Sequence, residues 1–155
     1  MNIKIEDIIG QPFTFTRRPE HLPCEMRPMW RSSLVLIIFS LIAARTGSCT
    51  LKKLHVVNWL LKSEKNITDF AFWVLNKDSV KPEVRMDPTL DRTIELLLAD
   101  GFLTRENDKM KLTEKGDICA VNLLALDVFK KERIVLGKHK KGLTETNITK
   151  IFQVG

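Results

Sequence analysis

The sequence predicts a mainly α-helical domain with one small β-hairpin. Three observations carry that expectation. Apolar residues recur at helical spacing in several long stretches, some of them opened by a proline and closed by a glycine. Only residues 102–112 offer two short extended segments around a polar turn. Tyr is absent and Gly supplies 7 of 155 residues, which disfavours β-sandwiches, propellers and Gly-rich nucleotide-binding folds. The length is that of one average domain, and 44% apolar residues suffice for a single buried core but not for a multidomain enzyme. A charged fraction of 28% is an ordinary globular mix, far from the composition of a disordered chain.

The elements follow in order. Pro12, Pro19, Pro23 and Pro28 fall in the first 28 residues, each removing an amide donor and restricting the residue before it, so residues 1–27 read as an extended N-terminal arm. Ile5, Ile8, Ile9, Phe13 and Phe15 recur along it, which implies that the arm packs on the domain or on a partner. The first long helix is expected to begin near Pro28 and to stop near Thr46 and Gly47. Its apolar residues, including Trp30, residues 34–39, Leu41 and Ile42, cover more than one face, as in a helix central to its domain or one shared with another chain. The apolar run 34–44 would extend roughly 16 Å as a helix, about half a bilayer core, so it reads as a buried helix and not a membrane span.

Residues 48–50 read as a connector, with Thr50 as the N-cap of a second helix over 51–62. A short third helix carries Phe70, Phe72, Trp73, Val74 and Leu75 as a core stripe. Residues 77–86 read as an extended loop or a short edge strand because of Pro82. Asp87 as N-cap, Pro88 at the first position, Leu90, Ile94, Leu97 and Leu98 at helical spacing, and Gly101 past the end define a fourth helix. Residues 102–105 and 110–112 flank the turn 106–109 as a hairpin, and a long helix then runs from Thr113 through Ile118, Val121, Leu124, Ala125 and Val128. Four helices, a hairpin and a helix make the order of a winged helix-turn-helix with additional helices. The expected organisation is the arm, a winged-helix domain over 28–137 and a basic, polar C-terminal tail over 138–155.

Two passages resemble a known family. The first is Thr50-Leu51-Lys52-Lys53-Leu54-His55-Val56-Val57-Asn58-Trp59-Leu60-Leu61-Lys62-Ser63, preceded by the long apolar helix. The second is Met86-Asp87-Pro88-Thr89-Leu90-Asp91-Arg92, continued by Ala99-Asp100-Gly101-Phe102-Leu103 and Leu112-Thr113-Glu114-Lys115-Gly116. Together they are similar to the middle component of the bacterial three-component ABC systems, grouped with Lamassu anti-phage and anti-plasmid defence. The resemblance spans roughly residues 28–120, and the step into the wing followed by Leu-Thr-x-x-Gly recurs in many winged-helix proteins. It implies a small non-catalytic subunit, kleisin-like, that docks on an SMC-like ABC ATPase and helps couple DNA sensing to an effector nuclease subunit. The arm residues named above and Trp30 are the candidates for partner binding.

The formal charge of +6 is local. Residues 1–31 carry net +1 and residues 32–129 are neutral, whereas residues 130–141 hold Lys130, Lys131, Arg133, Lys138, Lys140 and Lys141 against Glu132 alone. Such a patch can bind phosphates by counterion release, although a solvated helix end has the same composition. Those six residues are the candidates for contact with double-stranded DNA, made mainly within the complex. The helix before the hairpin carries Asp87, Asp91, Glu95 and Asp100 against Arg92. Its acidity opposes entry into a DNA groove and disfavours the rival reading, a winged-helix transcription regulator.

No GxxxxGK[ST] or GxGxxG run is present, so nucleotide hydrolysis is not encoded, and no cofactor is expected. Cys24, Cys49 and Cys119 stand at wide spacings outside any disulfide or zinc pattern. His21, His55 and His139 lie in separate segments, with His55 expected as a satisfied core or interface histidine. The expectation is a cytoplasmic protein with no catalysis of its own and no membrane partner.

Overall fold

The structure is a computed structural model that describes residues 23–154. A 3-10 turn at Cys24–Met26 leads into α1 (Pro28–Ile42). There follow β1 (Cys49–Thr50), α2 (Leu51–Lys62), α3 (Glu64–Leu75), α4 (Pro88–Ala99), β2 (Leu103–Glu106) and β3 (Lys109–Leu112). The chain ends in α5 (Glu114–Ala125), α6 (Lys130–His139), a 3-10 turn at Lys140–Gly142 and α7 (Glu145–Phe152). The described residues are thus mainly helical with a small three-stranded antiparallel sheet of order β1-β3-β2. No helix among them is long and apolar enough to cross a membrane.

Side-chain caps explain most helix starts. Thr50, Ser63, Asp87, Thr113 and Thr144 each accept a hydrogen bond from an amide in the first turn of the helix that follows, at 2.9–3.2 Å. α1 ends at Ile42, four residues before the expected stop at Thr46, and Gly47 takes φ +67° while its amide bonds back to the Ala43 carbonyl.

α1 is the central helix. Leu34, Val35, Leu36, Ile37, Ile38 and Phe39 are consecutive and all buried, because α4, α5 and α6 pack around it. Burying each of these side chains contributes roughly 2 kcal/mol, so the absence of a polar face on α1 is a property of its position. α5 packs against α1, and its buried residues are the small Gly116 and Ala120. Gly116 is required there by a close approach: a Cβ would stand 2.0 Å from the Phe102 carbonyl oxygen.

Several expectations from the sequence change. The connector at 48–50 contains a strand, since Cys49 pairs with Met110 and Thr50 with Lys109. At two residues it has no alternation by which to be recognised. Of the two forms expected for residues 77–86, the extended loop is the one present, with Pro82 buried. In α3 only Phe70 and Trp73 of the aromatic stripe are buried, and Phe72 and Leu75 face solvent. α5 stops at Ala125, and Ile118 and Val121 lie on its outer face, 56% and 55% exposed, while the residues that the helix buries are Gly116 and Ala120.

Residues 138–154, expected as part of a C-terminal tail, belong to the packed domain. After His139 ends α6, Leu143 packs into the core and α7 buries Ile148 and Ile151, with Phe152 against the same cluster. Thr144 caps α7, and Ile148, Ile151 and Phe152 share one face of it, so the polar residues between them are its solvent side. Glu145 ties α7 to α2 by pairing with the nearly buried Lys53 at 3.7 Å.

Candidate nucleic-acid interface and the polar junction beneath α1

α6 carries the basic run and divides it in two. Leu136 is buried, and Arg133 turns inward with it. The Arg133 guanidinium donates to the carbonyls of Leu123, Leu124 and Leu126 at 2.8–3.0 Å. These carbonyls lie at the C-terminus of α5, where a cation also offsets the helix dipole, and that of Leu123 accepts from the Leu126 amide as well. Arg133 is therefore a cap joining two helices and is withdrawn from the candidate phosphate ligands.

The other five candidates face solvent. Lys130 pairs with Asp127 and Lys131 approaches Glu64 at 3.7 Å, so both are partly neutralised. Lys138, Lys140 and Lys141 have no ion pair among the described residues. Lys130, Ile134 and Lys138 follow one another at four-residue spacing, so the outer face of α6 is a lysine stripe around the exposed Ile134. His139 stacks edge-on to Phe70, and burial together with the neighbouring Lys138 charge lowers its pKa. The stripe is held in place at its N-terminal end by Phe129, which has φ +54° and meets Trp30 edge to face at 5.2 Å. Trp30 is thus placed on the domain, half-buried. The other partner candidates, Ile5, Ile8, Ile9, Phe13 and Phe15, lie outside the described residues, as does His21.

A second polar assembly was not legible as such in the sequence. Asp87 sits where α1, α2 and α4 meet. Its Oδ1 accepts from the Thr89 amide at 2.9 Å. Its Oδ2 accepts from Lys62 Nζ at 2.8 Å and Asn58 Nδ2 at 3.2 Å, with Arg31 at 3.6 Å. Burial pushes this carboxyl up. The hydrogen bonds from Lys62, Thr89 and Asn58 and the Lys62 charge outweigh burial, and the group is held well below the usual carboxylate range.

His55, 1% exposed, completes the junction. Its Nδ1 accepts from the Asp87 amide at 3.1 Å and its Nε2 lies 2.8 Å from Asp91 Oδ1. With Nδ1 accepting, the ring is assigned as the Nε2–H tautomer donating to Asp91. Both nitrogens are engaged, so neither is open to a ligand. Asp87 is indeed an N-cap, but it and Asp91 also join three helices. One signal in the sequence could have found this: an apolar helix face carrying His55 and Asn58 needs polar partners, and Asp87 with Asp91 supplies them at helical spacing.

Cys49 is buried within β1, and burial pushes its thiol up to about 12, far from a reactive thiolate. Among the described residues no group of three His, Cys, Asp or Glu side chains could hold a metal ion. A cleft of about 800 Å³ opens beside the junction, between the start of α1, α2 and the N-terminal end of α6. No family model, curated protein or solved structure matches this chain.

Proposed function

We propose that this chain is a non-catalytic winged-helix subunit, kleisin-like, of an SMC-like ABC ATPase complex in Lamassu-type anti-phage and anti-plasmid defence. In this reading it acts in the cytoplasm and links DNA sensing to an effector nuclease subunit. The sheet order β1-β3-β2, entered from α4, supports a winged helix, with α3 as an insertion between α2 and α4.

The observation that carries the reading is the separation of charge from the helix before the hairpin. In a DNA-reading winged helix that helix enters the major groove. Here the exposed charges of α4 and its C-cap are Arg92 against Glu95 and Asp100, while the lysines of the basic run collect on α6 and the turn after it. Double-stranded DNA is met by Lys138, Lys140 and Lys141, with Lys130 and Lys131 behind them. α4 and the hairpin are left for protein contact.

One observation favours the regulator as a second reading. Asp87 is neutralised inside the junction and Asp91 is bound to His55, so the outer face of α4 is less acidic than its sequence.

Binding of two unrelated DNA duplexes at several salt concentrations tests both. Changing Lys138, Lys140 and Lys141 together to Glu should weaken both duplexes equally and flatten the salt dependence by roughly 0.9 log unit for each phosphate no longer neutralised. Arg92→Glu should change little. A sequence-selective loss on Arg92→Glu, with no effect of the lysines, establishes the regulator instead. Co-purification with a long coiled-coil ATPase encoded beside it tests the complex, and turnover of ATP or DNA by the purified chain itself, abolished by a point mutation in it, refutes the non-catalytic assignment.

A further inference from the structure

Asn147, in the first turn of α7, ties three lysine-bearing segments together. Its Nδ2 donates to the Gly142 carbonyl at 2.8 Å, in the turn that carries Lys140 and Lys141. Its Oδ1 accepts at 2.8 Å from Nζ of Lys77, just past the end of α3. The same ammonium lies 3.8 Å from the centre of the Trp73 ring. Gly142 is buried against α3, where an added Cβ would stand 3.0 Å from Val74 and 3.2 Å from Phe70, and His139 meets Phe70 edge-on. The end of α6, the turn after it, the start of α7 and the end of α3 therefore pack into one corner.

The corner gathers charge of one sign. Residues 142–155 hold Glu145 and Lys150 as their charged side chains, which cancel in the sequence. The fold separates them: Glu145 faces Lys53 of α2 at 3.7 Å, whereas Lys150 stands near Lys77. Burial, and then the Lys150 charge, lowers the Lys77 pKa. Asp78 follows Lys77 in the chain, yet neither Lys77 nor Lys150 has an ion pair among the described residues. Both are exposed. Lys77 is thus fixed in place by neutral partners and keeps its charge.

We infer that Lys77 and Lys150 are phosphate-contacting residues, and that a DNA duplex lies across this corner instead of running along α6 from Lys138 to Lys130. The inference rests on the reading that Lys138, Lys140 and Lys141 meet DNA. A lysine already held by Asn147 and Trp73 loses little further side-chain freedom on meeting a phosphate. Crowded like charges are also relieved when an anion comes between them. Along α6, by contrast, Lys130 is paired with Asp127 and Lys131 approaches Glu64, so a duplex there has to part those pairs.

Acetylation of the full chain by an amine-reactive ester, with and without a duplex at low salt, tests this with no substitution. The duplex should slow the reaction of Lys77 and Lys150 several-fold, together with that of Lys138, Lys140 and Lys141, and leave Lys109 of the hairpin reacting as before. In binding, Lys77→Gln with Lys150→Gln should weaken two unrelated duplexes equally and flatten the salt dependence by roughly 1.8 log units, about 0.9 for each contact. Arg92→Gln with Lys109→Gln removes the same charge from α4 and the hairpin and should change little. Protection of Lys138, Lys140 and Lys141 while Lys77 and Lys150 react unchanged, or equal losses from the two double variants, overturns the inference and leaves the DNA reading standing. Protection of Lys130 and Lys131 in place of Lys77 and Lys150 puts the duplex along α6 and overturns it too. No protection at any of these lysines overturns both.

Discussion

The junction at Asp87 and the stripe on α6 are both clusters of charge, and they are built in opposite ways. At the junction one carboxylate faces Lys62, Arg31 and Asn58, a helix N-terminus is capped, and both nitrogens of His55 are engaged. On α6 and the turn after it, Lys138, Lys140 and Lys141 face solvent with no ion pair among the described residues. A closed cluster stabilises a fold because its groups have exchanged water for one another at fixed distances. An open one contributes almost nothing to stability and keeps its charge for a partner. Arg133 and Lys138 make the same contrast within a single helix, one tied to three carbonyls and the other unpaired.

The largest expected effect is at the junction. Asp87→Ala removes a cap and leaves Lys62, Arg31 and Asn58 facing an apolar methyl, which should cost about 3 kcal/mol in urea unfolding. A midpoint that does not move would erase the distinction between the two clusters.

Next in size is the contrast within α6. Arg133→Ala should cost about 2 kcal/mol through the Leu124 and Leu126 carbonyls, which lose the guanidinium as donor, whereas Lys138→Ala should stay within about 0.5 kcal/mol. Equal losses from the two would show that α6 is not divided into an inner and an outer basic face.

The smallest effect is in pH. The Asp87 carboxyl is held below its usual range in the folded protein, so its contribution is fully present above the ordinary carboxylate pKa of about 4. It is lost as pH falls below that value toward the lowered folded pKa. Unfolding midpoints measured from pH 5 down to pH 2 should therefore decline less steeply in Asp87→Asn than in the parent chain, and parallel profiles would remove Asp87 as a source of acid sensitivity.

Helix starts and the central position of α1 were legible because their causes are local. Thr50, Asp87 and Thr113 cap the amides two or three residues on, and the unbroken run of apolar residues in α1 admits few placements other than the middle of the fold. β1 was hidden because two residues carry no period, and its partners Met110 and Lys109 stand far along the chain, beyond four intervening elements. α7 was hidden because its buried residues are few and spaced among polar ones, so that net charge dominated the reading. The basic run itself was plain in composition, and five of its six members do face solvent.

What the sequence by itself determined is where each helix begins and which face carries apolar groups, since caps and periodicity act over three or four residues. Only the tertiary structure decided which charges are spent inside. His55 meets Asp91 across 36 positions and Asn58 meets Asp87 across 29, and Arg133 reaches the end of the preceding helix only because Phe129 turns the chain through a left-handed residue. A charge is internal or external according to the distance and the water between it and its nearest opposite, and both quantities come into being when the helices pack.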